Sequence, residues 1–318
     1  RTWSGKLAPA WMRSVVITKA GIVRAWQSSW LRRLMFFAWM PALWFGVGFF
    51  IYEKAVEIPE IAQQLTPFLK SQTNNPQLDQ IFQMIADGDI RGARHGVWAW
   101  LLLTFFRYPQ GVVMALVIGL IAPPLISQDI RSRAFLLYFS RPIDRFEYVL
   151  GKLASIWAYL AMISMLPALA LYVMGILLSP DVNVVMATWD LPLRILAATM
   201  VLSIPTGSLA LCLSSLTKES RIAGFAWFAI LILGWVMFGI LSTVETINQF
   251  AQNRDVVPFN GESYWSLMSL YHTLGRVQSW VFGFLDFKDV IGSAIVLTLV
   301  TVISLAILMR QVMAPMRA

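Results

Sequence analysis

An all-α, polytopic integral membrane protein with six transmembrane helices is the fold class this sequence predicts, and three observations predict it. Hydrophobic residues make up 58% of the 318 and charged residues only 13%, where a soluble domain carries about 25% charged residues. Six apolar stretches each approach the roughly 20 residues that a helix needs to cross a hydrocarbon core. Basic residues gather on alternate connections between those stretches, the pattern that sets membrane orientation. The single Cys212 lies inside an apolar stretch, so no disulfide framework or cysteine metal site is expected.

The first 33 residues read as a cytoplasmic basic amphipathic helix. Val15, Ile22, Trp26 and Trp30 recur at near-helical spacing, with Arg13, Lys19, Arg24, Arg32 and Arg33 between them. Such a helix lies in the membrane surface with its Trp rings at headgroup level; a flexible basic tail is the alternative. No short signal peptide is visible, so the first span is expected to serve as the insertion signal, and the missing initiator Met suggests that a few residues are absent or trimmed.

A six-span transmembrane domain follows over 34–310, then a cytoplasmic tail at 311–318. The spans fall at about 34–52, 98–126, 153–178, 193–216, 222–244 and 287–309. The second is overlong and holds Arg107-Tyr108-Pro109. Its membrane-buried part is expected to start near Pro109, with Trp98 to Tyr108 at the outer interface and Pro123-Pro124 kinking the other end. With both termini cytoplasmic, the inner segments hold most of the 25 basic residues but only Asp129, Asp144, Glu147 and Glu219 of the 17 acidic ones, as the positive-inside rule asks. Thr217 to Arg221 is a tight inner turn.

Two outer segments remain. Residues 53–97 contain two Pro-initiated amphipathic pieces around a turn-like SQTNN. Residues 245–286 carry an apolar stripe of Leu267, Leu270, Tyr271, Leu274, Val277 and Val281. The second predicts helices lying on or dipping into the outer surface. Packing against the protein's own helix ends and forming an outer gate are alternative roles.

The most informative stretch is Ser127 to Lys152, a cytoplasmic element held between two spans. Arg131, Arg133, Arg141, Arg145 and Lys152 face Asp129, Asp144 and Glu147, and the apolar run Ala134 to Phe139 sits in its middle. Ser140-Arg141-Pro142 predicts a break and a new helix, Ser as N-cap and Pro in the first turn, with Asp144 in that turn at the positive end of the helix dipole. An amphipathic element with a greasy tip, fixed at both ends, is built to be gripped.

Chemistry is absent elsewhere. No phosphate-cradling G-x-x-x-x-G-K-[ST] loop occurs, because Phe146 stands where the first Gly is needed before Gly151-Lys152. His95 and His272 lack ligand neighbours at metal-binding spacing and read as surface or interfacial histidines. No G-x-S-x-G elbow appears. The net charge of +8 concentrates at the inner face, which suits anionic lipid better than nucleic acid. The spans carry almost no charge at mid-depth, which argues against ion-coupled secondary transport. Aromatic residues line them instead; most pack or face lipid, and Phe45, Phe49, Trp227 and Trp235 are candidates for an apolar or amphiphilic cargo path.

The central element resembles that of the membrane (permease) subunits of ATP-binding-cassette transporters of the type 2 exporter class, with the type V fold. The resemblance rests on Pro123-Pro124-Leu125-Ile126, Asp129, Arg131, Arg133, Ser140-Arg141-Pro142, Arg145, Tyr148 and Gly151-Lys152. In wording it covers about 121–155, in layout nearly the whole chain; segment 53–97 is longer than in compact members. It implies a coupling helix at 127–152, two partner ABC ATPase subunits that bind ATP and Mg, and a second permease copy or paralogue. This chain itself would then hold no cofactor and catalyse nothing. By the same resemblance Phe135, Tyr138 and Phe139 form a knob for a groove on the ATPase, and Asp129, Arg131, Arg133, Arg141 and Arg145 form its polar rim; headgroup binding is the other role for these arginines. Membrane lipid and a periplasmic accessory protein are further candidate partners. Two functions follow as alternatives: an export permease for an apolar or amphiphilic cargo, or a mechanotransmitting or regulatory subunit coupling an ATPase to a periplasmic partner. A membrane enzyme is disfavoured by the missing catalytic groups.

Overall fold

The computed structural model describes residues 10–58, 76–133, 144–181, 183–251 and 264–313, and every statement below concerns these. Twelve α-helices occur among them. They are α1 (Ala10–Trp26), α2 (Ser29–Glu57), α3 (Pro76–Ala86), α4 (Arg94–Arg107), α5 (Pro109–Arg131), α6 (Arg145–Leu160), α7 (Leu166–Leu178), α8 (Val184–Ala187), α9 (Leu191–Ser215), α10 (Ser220–Ala251), α11 (Leu270–Val281) and α12 (Phe287–Met313). A π-helical turn, Ala161–Met165, joins α6 to α7, and a 3₁₀ turn, Tyr264–Met268, precedes α11. Six helical runs are long and apolar enough to cross a membrane: α2, α4–α5, α6–α7, α9, α10 and α12. The predicted spans and the all-helical class agree with this.

Local chemistry explains the breaks. The chain turns at Gln27-Ser28 because Ser28 caps α2, its hydroxyl accepting from the Leu31 N–H at 3.4 Å. Pro109 starts α5 at the position where a missing N–H costs nothing. Asp144 is the N-cap of α6 rather than a residue of its first turn. It accepts from the Arg145 N–H at 2.7 Å while Glu147 accepts from the Asp144 N–H at 3.1 Å, a capping box that the spacing D-x-x-E encodes. The predicted Ser140 cap and Pro142 lie outside the described residues.

Helix α1 does more than lie flat. It packs along α6, with Gly151 so close to α1 that a methyl group there would meet Ile17 Cβ at 2.8 Å and the Ser14 carbonyl at 3.0 Å. Gly21 presses on Ser155 in the same crossing. Small residues let the two backbones approach. The Thr18 hydroxyl donates to the Gly151 carbonyl at 3.1 Å, and Tyr159 donates to the Ile22 carbonyl at 2.7 Å. The buried positions are therefore Ile17 and Gly21, whereas Val15 and Trp26 stay exposed and Trp30 belongs to the next helix. Helical periodicity located an apolar stripe but not the narrower face that meets the protein.

Two apolar cores stack along the bundle. One gathers residues such as Ile17, Met35, Ile121, Tyr148, Leu211 and Leu308 near the face that carries α1, hereafter the N-terminal face. The other gathers Phe49, Phe82, Trp98, Phe106, Leu171 and Ile195 near the opposite end. Trp98 and Phe106 are fully buried, so α4 is an interior helix rather than an interfacial one. Helix α11 likewise buries His272, Leu274 and Val277 against α12, α9 and α10.

Candidate functional site at the N-terminal face

At the N-terminal face the last turn of α5 meets the first turns of α6. Asp129, placed on an exposed rim by the sequence reading, is only 3% exposed. Lys152 Nζ stands 2.6 Å from its carboxylate and donates to the Leu125 carbonyl at 2.8 Å, and the Tyr148 hydroxyl donates to Asp129 at 2.8 Å. Arg24 of α1 approaches the same carboxylate at 4.0 Å and also bonds Gln128. Lys152, Tyr148 and Asp129 therefore clasp spans two and three together at the point where the chain leaves and re-enters them. A carboxylate buried there without a cation would be costly, and the 2.6 Å contact with Lys152 supplies one.

A serine repairs the kink beneath this clasp. Pro123 and Pro124 disturb the ladder of α5, and Ser214 of α9 inserts its hydroxyl. That oxygen accepts from the N–H groups of Ile126 and Ser127, at 3.2 and 3.1 Å, and donates to the Pro123 carbonyl at 2.6 Å. Freed backbone groups inside a membrane helix need such a partner. Ser127 Oγ also lies 2.7 Å from Ser220 Oγ at the start of α10. Spans two, three, four and five thus converge under one connection.

The remaining predicted rim residues are on the surface. Arg131 is 70% exposed at its side chain and lies 3.8 Å from Glu219. Arg133 ends the helix with φ +52°, a left-handed conformation that non-glycine residues rarely adopt. Arg145 is half-buried at the start of α6. Phe135, Tyr138, Phe139 and Arg141 lie outside the described residues.

The four cargo-path candidates do not come together. Phe49 is buried with its ring 5.4 Å from Trp98, and Phe45 packs on Phe105 at 5.7 Å. Trp227 is buried and donates to the Ala115 carbonyl at 2.9 Å, while Trp235 is 61% exposed on α10. A groove of about 550 Å³ instead opens between α2 and the α6–α7 run, lined by Phe36, Trp39, Met40, Met162 and Met174 with Arg32 among its walls. Sequence reasoning missed it because its walls come from α1, α2 and the α6–α7 run, which meet only through packing.

The opposite end carries a second buried network. Arg94 of α4 lies 3.2 Å from Glu53 of α2 and 3.4 Å from Asp181, and Trp98 donates to Glu53 at 3.1 Å. Beside it His95 contacts Asp190 at 2.9 Å, and Arg194 pairs with the same carboxylate at 2.6 Å. Burial alone would raise the Asp190 pKa, but the hydrogen bonds and charges of His95 and Arg194 outweigh it and hold the carboxyl below its ordinary value. His272 is a buried ring stacked 3.7 Å from Phe238, not a surface histidine.

The described residues form a six-span helical bundle with a clasped connection at one face. Residues 28–313 match the family described as ABC-2 family transporter protein, and the chain belongs to it. It is thus a permease subunit of an ABC transporter, and membership of this family implies partnership with ABC ATPase subunits. No curated protein and no solved structure matches the chain significantly.

Proposed function

We propose that this chain is one half of an ATP-driven export path for an apolar or amphiphilic cargo. It sits in the cytoplasmic membrane with both termini and the N-terminal face inside, and pairs with a second permease copy or paralogue. Two ATPase subunits, holding ATP and Mg, grip the connection 127–152 through Phe135, Tyr138, Phe139 and Arg141, with Arg131, Arg133 and Arg145 at the rim. Asp129 contributes from within, as a positioning residue.

The observation that carries this reading is the Lys152–Asp129 clasp, with α1 lying on α6. A force applied to the connection moves the ends of spans two and three and α1 as one piece, because small displacements in packed helices pass on rather than dissipate. The groove beside Met162 and Met174 supports an amphiphilic cargo or a tightly held lipid: it is apolar along its length, with a cationic residue among its walls.

The test is co-purification and coupled turnover. F135D/F139D is expected to abolish recovery of the ATPase with the permease, and unchanged recovery would refute the grip. In the reconstituted complex an amphiphilic cargo is expected to stimulate ATP hydrolysis. Indifference to every amphiphile would favour the alternative, a subunit that passes motion to a periplasmic partner.

A further inference from the structure

The groove between α2 and the α6–α7 run is charged at one end only. Apolar residues wall it from Met35 to Leu43 on one side and from Met162 to Met174 on the other, while Trp26 and Arg32 stand at the end nearest α1. Two contacts fix its direction. The Trp26 ring stacks 6.3 Å from the Tyr159 ring, and a methyl group on Gly46 would meet Met174 Cε at 2.9 Å. The two walls therefore run the same way, with Arg32 and Met174 at opposite ends. Arg32 is exposed. Its Nη1 donates to the Trp26 carbonyl at 3.0 Å and to the Gln27 carbonyl at 3.4 Å, acceptors that the end of α1 leaves open. Holding a helix C-terminus is a structural role in its own right, but it occupies one nitrogen. Nε and Nη2 have no partner among the described residues, and no carboxylate pairs with the guanidinium there.

Length and charge together define the occupant. From Leu34 to Tyr52 α2 carries no charged residue, a run of 19 residues. That is about 28 Å at 1.5 Å per residue, close to the roughly 30 Å of a hydrocarbon core. Arg32 and Arg33 precede the run and Glu53 and Lys54 follow it, so on the scale that α2 itself sets Arg32 stands at a boundary of the core. Arg32 and Leu43, the ends of the α2 wall, lie about 16 Å apart along the helix axis, half of that thickness. The slot is thus one leaflet deep, with its cation at the outer end of the leaflet. Met35, Met40, Met162 and Met174 give it walls that adapt to a flexible chain. An apolar helix of another subunit would cover the slot but leave the guanidinium without an anion. An amphiphile with an anionic head answers both the apolar length and the charge.

We propose that this groove binds one anionic phospholipid from the leaflet at the N-terminal face, with its phosphate at Arg32 and an acyl chain along Met162, Leu171 and Met174. Nε and Nη2 donate to the phosphate oxygens while Nη1 keeps its hold on the end of α1. Trp26 flanks the head, where an indole ring is at home. The inference rests on the reading that the groove takes an amphiphile, and names its class; it requires neither ATPase docking nor export.

The full chain, purified in a neutral maltoside detergent, is titrated with dioleoyl phosphatidylglycerol and with dioleoyl phosphatidylcholine, and bound lipid per chain is counted by native mass spectrometry. One phosphatidylglycerol per chain is expected to bind saturably, about fivefold or more tighter than phosphatidylcholine. R32Q should weaken phosphatidylglycerol about fivefold to tenfold and leave phosphatidylcholine unchanged, so that the preference disappears. K218Q, which removes an exposed charge of the same face outside the groove, should change neither. A170F, which fills the slot from an exposed position of α7, should weaken both lipids alike. Equal losses in R32Q and K218Q, or wild-type affinity in A170F, overturn the proposal. Equal binding of the two lipids overturns the anionic assignment and leaves the amphiphile reading standing, whereas binding of neither overturns both. Should R32Q fail to fold, the preference of the wild type and the loss in A170F decide, and the absence of either overturns the proposal.

Discussion

The bundle buries an ion network at each end, and the two are built differently. At the N-terminal face one lysine meets one carboxylate, with a tyrosine hydroxyl, a backbone carbonyl and, at 4.0 Å, the exposed Arg24 as the remaining partners. At the opposite end one arginine serves two carboxylates, and its Nε is left without an acceptor. The first is a closed clasp between two consecutive spans. The second is a looser knot joining α2, α4 and the residues after α7, open enough for the exposed Arg91 to reach Asp181 at 3.5 Å. A short pair with both partners buried transmits displacement directly, its one other cation, Arg24, standing off at 4.0 Å; a three-membered knot can shed one contact and keep another. Neither is in itself a source of stability, since desolvation offsets much of the attraction.

The sharpest way to break the comparison is to strip one partner from each. K152M leaves the buried Asp129 with only the exposed Arg24 at 4.0 Å and should cost about 3–5 kcal/mol in unfolding experiments, with D129N/K152M recovering most of the loss. E53Q at the other end should cost less, about 1–3 kcal/mol, because Arg94 retains Asp181. Equal losses would show that the clasp is no tighter than the knot.

Next in size is the α1–α6 crossing. G151L must push α1 away from α6, and overpacking of this kind costs typically 1–3 kcal/mol. The expected readout is faster proteolysis within α1 while the remaining helices stay protected. Protection of α1 equal to wild type would mean that it is not held by this contact.

Comparable or smaller is S214A, which deprives two N–H groups beside the Pro123-Pro124 kink of their acceptor. About 1–3 kcal/mol should be lost, with S214T expected to restore part of it.

The smallest effect is a pH dependence confined to the end opposite the clasp. His272 is held neutral, its pKa lowered to about 4 from 6.5 by burial and by Arg107. The unfolded chain therefore takes up a proton first as pH falls. Stability from this group is complete above about 6.5 and is lost progressively down to about 4. Asp190, held below its ordinary value by His95 and Arg194 after burial is overcome, adds a second loss at lower pH, as its folded form resists protonation. Melting temperatures of wild type and H272Q should converge between pH 6.5 and 4 if H272Q starts lower, and a constant difference would contradict the assignment.

Much of the layout was legible in the chain because hydrophobicity, proline and charge act locally. A run of apolar residues is a span whatever it packs against, Pro109 restarts a helix, and the D-x-x-E at Asp144 caps one. The same logic set the six spans and the tight turn before Ser220. The residues that carry the family resemblance were also visible, but not their purpose. Asp129 looked like part of a docking surface, because an aspartate among arginines reads as solvated until its partner 23 residues on is known to fold back over it.

What the sequence by itself determined, then, was the class of the protein: a helical bundle whose six apolar runs are long enough to cross a membrane. Tertiary structure alone decided which charges are buried and with whom, that α1 meets α6 through Gly21 and Gly151, and that the Arg107 guanidinium lies against Gly275. The reason is physical. Partition into a bilayer depends on the sum of residues along a segment, whereas pairing depends on helix rotation and depth, which are fixed only when all the helices pack at once.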